Sequence, residues 1–380
     1  MQSTWGSHLQ VSLFGESHGE AIGAVLTGLG AGIPLDREFL EKQMDKRRAK
    51  GAISTKRREG DRVEIVSGFF DGYTTGTPLC LLIRNENRQS KDYEATRYLL
   101  RPSHADFTAF EKYHGYQDYR GGGHFSGRLT APLVAAGAVC LQILRQKGVQ
   151  IATHILSCKD VKDVPFSQNE TELLREMELL NDRYFPTISE QAAKDMTALI
   201  EDTGAKGDSV GGVLETAVTG LPAGIGEPFF YSVESVLSQL LFSIPAVKGV
   251  SFGDGFAITE QFGSEANDPF RMEGEKIVTS GNHNGGINGG ITNGMPLRIL
   301  TAVKPTPSIY REQETVDYRK KENTSLVIRG RHDPAVIHRA RVVADSVVAI
   351  GLADLFCARY GTVWMEPEKT KEERKAWNTD

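Results

Sequence analysis

Thr27-Gly-Leu-Gly-Ala-Gly-Ile33 and Thr219-Gly-Leu-Pro-Ala-Gly-Ile225 agree at six of seven positions and stand 192 residues apart, about half of the 380-residue chain. Each follows a strand-like run, Ala21–Thr27 or Gly212–Thr219. Each leads toward a helix-like pattern with a capping residue, Asp36 or Ser232, before it. Two readings are open. Glycine makes up 40 residues here, above the average share of roughly 7%, so two similar turns could arise from composition. The matching order of strand, turn and helix favours the other reading, an internal duplication with two related halves on one pseudo-symmetric core.

Working outward, strand-like runs recur at His8–Phe14, Arg62–Val66, Leu79–Ile83, Val149–Leu156 and Leu297–Val303. Helical periodicity marks Arg37–Arg48, Leu129–Lys147, Ser189–Glu201, Ser232–Phe242 and Arg339–Tyr360. Positions 129, 133, 134, 137, 141 and 144 form one buried face of the second helix, and Gly148 supplies its left-handed stop. Thr187 with Glu190 reads as a capping box, and Gly361 closes the last helix. Strands and helices mix without strict βαβ alternation, so the expected class is α+β. The expectation is a single large domain over residues 1–364 with an internal pseudo-twofold duplication, helices sandwiched with antiparallel or mixed β-sheets. The halves would be about 1–200 and 201–364, followed by a charged tail over 365–380.

Charge and cysteine usage narrow the function. Net charge is −5 and pI about 6.0, which disfavours a general nucleic-acid binder. Cys80, Cys140, Cys158 and Cys357 are widely spaced with no C-x-x-C, so they read as reduced, buried thiols rather than a disulfide framework or zinc site. The start of the chain lacks the apolar stretch of a signal peptide. The most apolar run, Ala131–Leu144, contains Gln142 and falls short of the ~18 residues of a membrane span. A cytoplasmic protein without membrane, nucleic-acid or metal partners is expected.

Six segments carry possible chemistry. Phe14-Gly-Glu-Ser-His-Gly19 puts His18 between glycines, suiting a proton donor at a turn. From Lys46 to Arg58, seven of thirteen residues are cationic and none acidic. That run is a clamp for a small polyanion, a solvated basic face, or a nucleic-acid contact. In Arg101-Pro-Ser-His104-Ala-Asp106 the carboxylate could orient the imidazole. Arg120-Gly-Gly-Gly-His-Phe-Ser-Gly-Arg128 feeds a helix start, an anion site by geometry. Gly281–Gly294 is either a disordered loop or a bare backbone cradle for a flat ligand, and Lys304-Pro-Thr-Pro-Ser308 supplies a cation and two hydroxyls nearby in sequence. Finally, Arg329-Gly-Arg-His-Asp-Pro334 surrounds Asp333 with positive charge.

In order and wording these segments resemble the chorismate synthase family over residues 7–360: G-E-S-H-G, R-P-S-H-A-D, D-Y-R-G-G-G, N-H-x-G-G-I-x-G-G-I, K-P-T-x-S and G-R-H-D-P. The resemblance implies a lyase that converts 5-enolpyruvylshikimate 3-phosphate to chorismate and phosphate, the last step of the shikimate pathway. The reaction is a 1,4-elimination needing reduced FMN without net redox change. It implies that His18 protonates the departing phosphate, that His104 protonates the reduced flavin, and that Asp333 assists the flavin in taking the C6 proton. Arg47, Arg48, Arg57, Arg128 and Arg331 correspond to substrate-clamping positions. His124, Phe125, Ser126, Ala246, Gly289, Lys304, Pro305, Thr306, Pro307, Ser308 and Arg331 fall where the family holds FMN. The family's usual R-S-S-A-R reads His124-Phe-Ser-Gly-Arg128 here, and Pro245 stands where Asn is usual. No segment resembles a flavin reductase, so a monofunctional enzyme with an external source of reduced flavin is expected, as is a homotetramer. Competing readings are a flavin oxidoreductase that consumes NADPH and an RNA-associated protein using residues 46–58.

Overall fold

The computed structural model describes residues 3–51, 53–54, 60–86, 94, 97–328 and 332–367. Two five-stranded antiparallel sheets enclose a layer of helices. Across the first sheet the order is Thr4–Trp5, Gln10–Gly15, Ala21–Thr27, Leu79–Arg84 and Val63–Ser67. Across the second it is Val161–Lys162, Gln150–Cys158, Gly212–Thr219, Leu297–Val303 and Val247–Phe252. The last four strands of each order correspond one to one. Each set also carries a short helix after its glycine turn, Arg37–Arg47 or Val233–Ser243, and ends in a long helix, Thr130–Gln146 or Ile337–Tyr360. The matched elements run from Gln10 to Gln146 and from Gln150 to Tyr360.

The echoed turns show why the repeat survives. Gly28 and Gly220 both have positive φ, 93° and 77°. A Cβ on Gly28 would lie 2.1 Å from the His8 carbonyl oxygen, and one on Gly220 would lie 2.1 Å from that of Gly148. Both turns press against the chain just ahead of the sheet neighbour of the strand they follow, Gln10–Gly15 or Gln150–Cys158, a contact only glycine allows. Leu29, Ile33, Leu221 and Ile225 anchor them in the core. Asp36 accepts from the Phe39 N–H at 2.9 Å and Ser232 from the Ser235 N–H at 3.1 Å, so both expected caps form. The matching strands, turns and caps favour duplication over composition as the source of the echo.

The two long helices pack along each other at the centre, and each also covers its own sheet. Ala131–Leu144 is buried on every side, as a central core helix must be. At their closest approach, a Cβ on Gly137 would stand 2.5 Å from Ser346 Cα. Gly137→Val should therefore destabilise the protein by about 3 kcal/mol through overpacking, read as a lower urea midpoint at unchanged slope.

Some elements depart from expectation. Val247–Phe252 is a strand although Lys248-Gly249 breaks its alternation; a register shift between Val247 and Gly249 absorbs the irregular pair. Helix Glu170–Asp182 lays Leu173, Met177 and Leu180 on the outer face of the second sheet, beside Ala152, Phe166 and Ala217. A further helix spans Asp106–Tyr113. The cap of Glu190–Ala205 is Ser189, not Thr187, because Thr187 is buried and donates to the Ser189 carbonyl. Cys140, Cys158 and Cys357 are buried, while Cys80 is half-buried.

Candidate active site

A cavity of about 690 Å³ opens where the starts of the two long helices meet, with Thr130 on one side and Val336, Arg339 and Ala340 on the other. Neither helix has a side-chain cap at its start, so both present N–H groups and positive dipole ends. Among the described residues the wall holds six cations (Arg47, Arg97, Arg101, Arg128, Lys304 and Arg339) against three aspartates (Asp106, Asp118 and Asp333). In a chain of charge −5 this concentrates positive potential in one recess. Tyr98, Phe110, Phe125, Ile244 and Val343 form an apolar wall.

Side-chain pairings fix the cations. Asp61, 5% exposed, receives Arg47 Nη1 at 2.9 Å on one oxygen and Arg128 Nη1 on the other. Burial alone would push the Asp61 carboxyl up; Arg47 and Arg128 outweigh it and hold it below the usual range. Arg47 Nε also donates to Thr130 Oγ1 at 2.8 Å, and Arg128 Nε to Asn85 Oδ1 at 3.2 Å. Arg339 Nη1 donates to Asp333 Oδ2 at 2.8 Å, and its Nε to the Arg47 carbonyl at 2.7 Å, joining the two halves.

His104 lines the cavity with Nε2 2.7 Å from Ser308 Oγ. Asp106 does not orient it, because Arg101 engages that carboxylate through its backbone N–H, Nε and Nη2. Burial, then Arg101, lower His104 to about 4. His18 is buried behind the cavity wall, with Nδ1 3.1 Å from Ser17 Oγ. Gly121 covers it: a Cβ there would stand 2.3 Å from His18 Cε1. Gly121, Gly122 and Gly123 all have positive φ, which lets this loop fold back over the imidazole.

Ser126, Ala246, Thr306, Pro307 and Ser308 line the cavity with Phe125 and Lys304. Other expected site residues stand off its wall. Arg48 pairs with Glu41 at 3.0 Å and Asp45 at 3.6 Å, leaving Arg47 as the cavity residue of that helix end. His124 bonds the Gly15 carbonyl at 2.9 Å and Ser3 at 3.2 Å. Pro305 faces a groove on the other side of its segment. Gly289 lies between the short strands Ile287–Asn288 and Ile291–Thr292, and the neighbouring Gly285 and Gly286 pack on Gly253 and Pro296, so this segment is an ordered turn rather than a disordered loop. Arg57 and Arg331 lie outside the described residues. Of the basic run, Lys46 is half-buried and donates to Asn181, and Arg47 is buried, so a wholly solvated face does not describe it. Asp61, Asn85, Gln117, Arg339 and His332 join the site without having been singled out as functional residues. Only His332 had a signal, its place in G-R-H-D-P.

A positively lined recess with a buried imidazole, a cavity imidazole and a paired aspartate defines an enzyme site for an anionic small molecule. The comparisons with known proteins specify the family. Its profile, described as chorismate synthase, matches residues 9–357. A chorismate synthase of Dehalococcoides mccartyi is 44% identical over 361 residues, covering 93% of this chain and 96% of the relative. One from Pyrococcus abyssi is 44% identical over 349 residues, covering 92% and 96%. A crystal structure of chorismate synthase superposes with a TM-score of 0.76 at 27% identity, covering 98% of each chain. The chain belongs to the chorismate synthase family, enzymes of the lyase class.

Proposed function

We propose that this cavity binds 5-enolpyruvylshikimate 3-phosphate beside reduced FMN and eliminates phosphate to give chorismate. The observation that carries this reading is the convergence of His104, Asp333, Arg47, Arg128 and Lys304 on one recess, with His18 directly behind Gly121. A flavin suits the wall: apolar side chains for a ring, cations for a phosphate, and buried polar atoms of Gln117, Thr306 and His332 that have no partner among the described residues. When bound in its reduced form, the flavin supplies electron density that helps the phosphate leave and accepts the proton lost with it.

The chain's own groups bind, orient and move protons. Arg47 and Arg128, held by Asp61, present guanidiniums to carboxylate or phosphate. His18, shielded from bulk water by the glycine loop, carries the proton destined for the leaving phosphate. Asp333, fixed by Arg339, is a local proton acceptor. His104 in the free protein is neutral at pH 7, since its value is about 4. A bound anion favours the imidazolium, so its pKa should rise on ligand binding by at least about one unit, visible in NMR titrations with and without oxidised FMN. No rise would remove His104 as a proton donor. We also propose a cytoplasmic homotetramer supplied with reduced flavin from outside.

The test is anaerobic. Protein, dithionite-reduced FMN and the substrate should release phosphate and chorismate in equal amounts. Absence of both defeats the reading, and NADPH oxidation matching product would replace it with net hydride transfer. His104→Ala should lower turnover about a hundredfold with its melting temperature little changed.

A further inference from the structure

Among the described residues, three of the cavity wall keep a buried side-chain atom without a hydrogen-bond partner: Gln117 Oε1, Thr306 Oγ1 and His332 Nε2. Such atoms are costly to leave unsatisfied, and a ligand that supplies the missing partner recovers the loss. Their chemistry differs from that of the charged groups nearby. Arg101 is engaged by Asp106, Arg339 by Asp333 and Lys304 by Ser103. The orphaned atoms belong to a carboxamide, a hydroxyl and an imidazole. Burial, then Arg101, lower the His332 pKa, so that ring is neutral at pH 7. Tyr310 flanks it, ring centroids 5.7 Å apart. Neutral donor–acceptor groups match ring carbonyls and N–H groups, whereas phosphates and carboxylates match guanidinium and ammonium.

We propose that His332 and Gln117 are specificity contacts that hydrogen-bond the uncharged polar edge of the flat heteroaromatic ligand, a role that rests on the flavin reading of this cavity. Thr306 adds a third contact along the same segment as Ser308. His332 offers an Nε2 without a partner among the described residues, whereas His104 Nε2 is bonded to Ser308 and keeps its separate role as proton donor.

Equilibrium binding of oxidised FMN, followed by its visible absorption and fluorescence, tests this without turnover. His332→Phe keeps a flat ring beside Tyr310 but removes both nitrogens. It should weaken FMN about tenfold and shift the absorption band of the bound flavin. His332→Gln restores a donor and acceptor and should stay within about threefold of wild type. Gln117→Leu should also weaken FMN about tenfold, and it decides the matter if His332→Phe fails to fold. Wild-type affinity and an unshifted spectrum in His332→Phe and Gln117→Leu would overturn the inference while leaving the flavin site standing. Failure of the wild-type protein to bind FMN would instead defeat the flavin reading itself.

Discussion

Asp61→Ala is expected to cost the fold about 3–5 kcal/mol and to leave substrate binding severely weakened. The carboxylate is buried between Arg47 and Arg128, one oxygen for each. Its removal leaves two guanidiniums close together with their shared counter-ion gone, so each repels the other against the bonds that remain, those to Thr130 and Asn85 among them. Asp61→Asn retains the shape and loses the charge, so it should fold better than the alanine variant yet still raise the KM for substrate more than it lowers kcat. The sign of the pH dependence is set by the lowered carboxyl pKa in the folded state. A depressed value contributes stability above the unfolded pKa of about 4 and loses it as pH falls through the folded value. Urea midpoints of wild type and Asp61→Asn should therefore differ at pH 7 and converge in strong acid. A constant gap down to pH 2 would refute the pairing.

Gly121→Ala is expected to lower kcat about a hundredfold while FMN still binds. The added methyl would meet His18 at 2.3 Å, and the φ of 58° is one that alanine adopts only with strain. His18 must then swing or the loop must lift, and either displaces the proton donor from the cavity wall. The loss of stability should be smaller, about 1–2 kcal/mol, since the loop is at the surface of the site rather than in the core. Gly122→Ala is the useful comparison: its φ is also positive, 86°, but its Cβ would find only Ser126, at 3.8 Å. If both variants lose equal activity, backbone strain alone explains the effect and the contact with His18 does not.

Much of the fold was legible because it rests on local rules. The echoed turns, the capping residues Asp36 and Ser232, and the stops at Gly148 and Gly361 each depend on a few adjacent residues, and all form as expected. Val247–Phe252 was hidden because its pairing with Leu297–Val303 tolerates a bulge that blurs the alternation. The motifs likewise named the cavity segments, but not who pairs with whom. Asp106 looked like a partner for His104 through proximity in sequence, yet Arg101 takes it with three hydrogen bonds. Arg47 and Arg48 are adjacent, and only their directions off the helix end separate a cavity residue from one paired on its own helix. Asp61 gave no signal because its partners lie 14 and 67 positions away. Its role exists only once the chain has folded.

Arg37–Arg47 and Val233–Ser243 are counterparts, and the C-terminal end of each reaches the same cavity. At one corner stands Arg47; at the other stand Ile244, Pro245 and Ala246. Two separate identical subunits joined about a true twofold axis would carry the same residue at both corners. Linking the halves in one polypeptide lifts that constraint, so a single recess can be salt-like on one flank and oily on the other. An asymmetric pair of ligands, one highly charged and one flat, can then lie side by side in a pocket built from a symmetric frame.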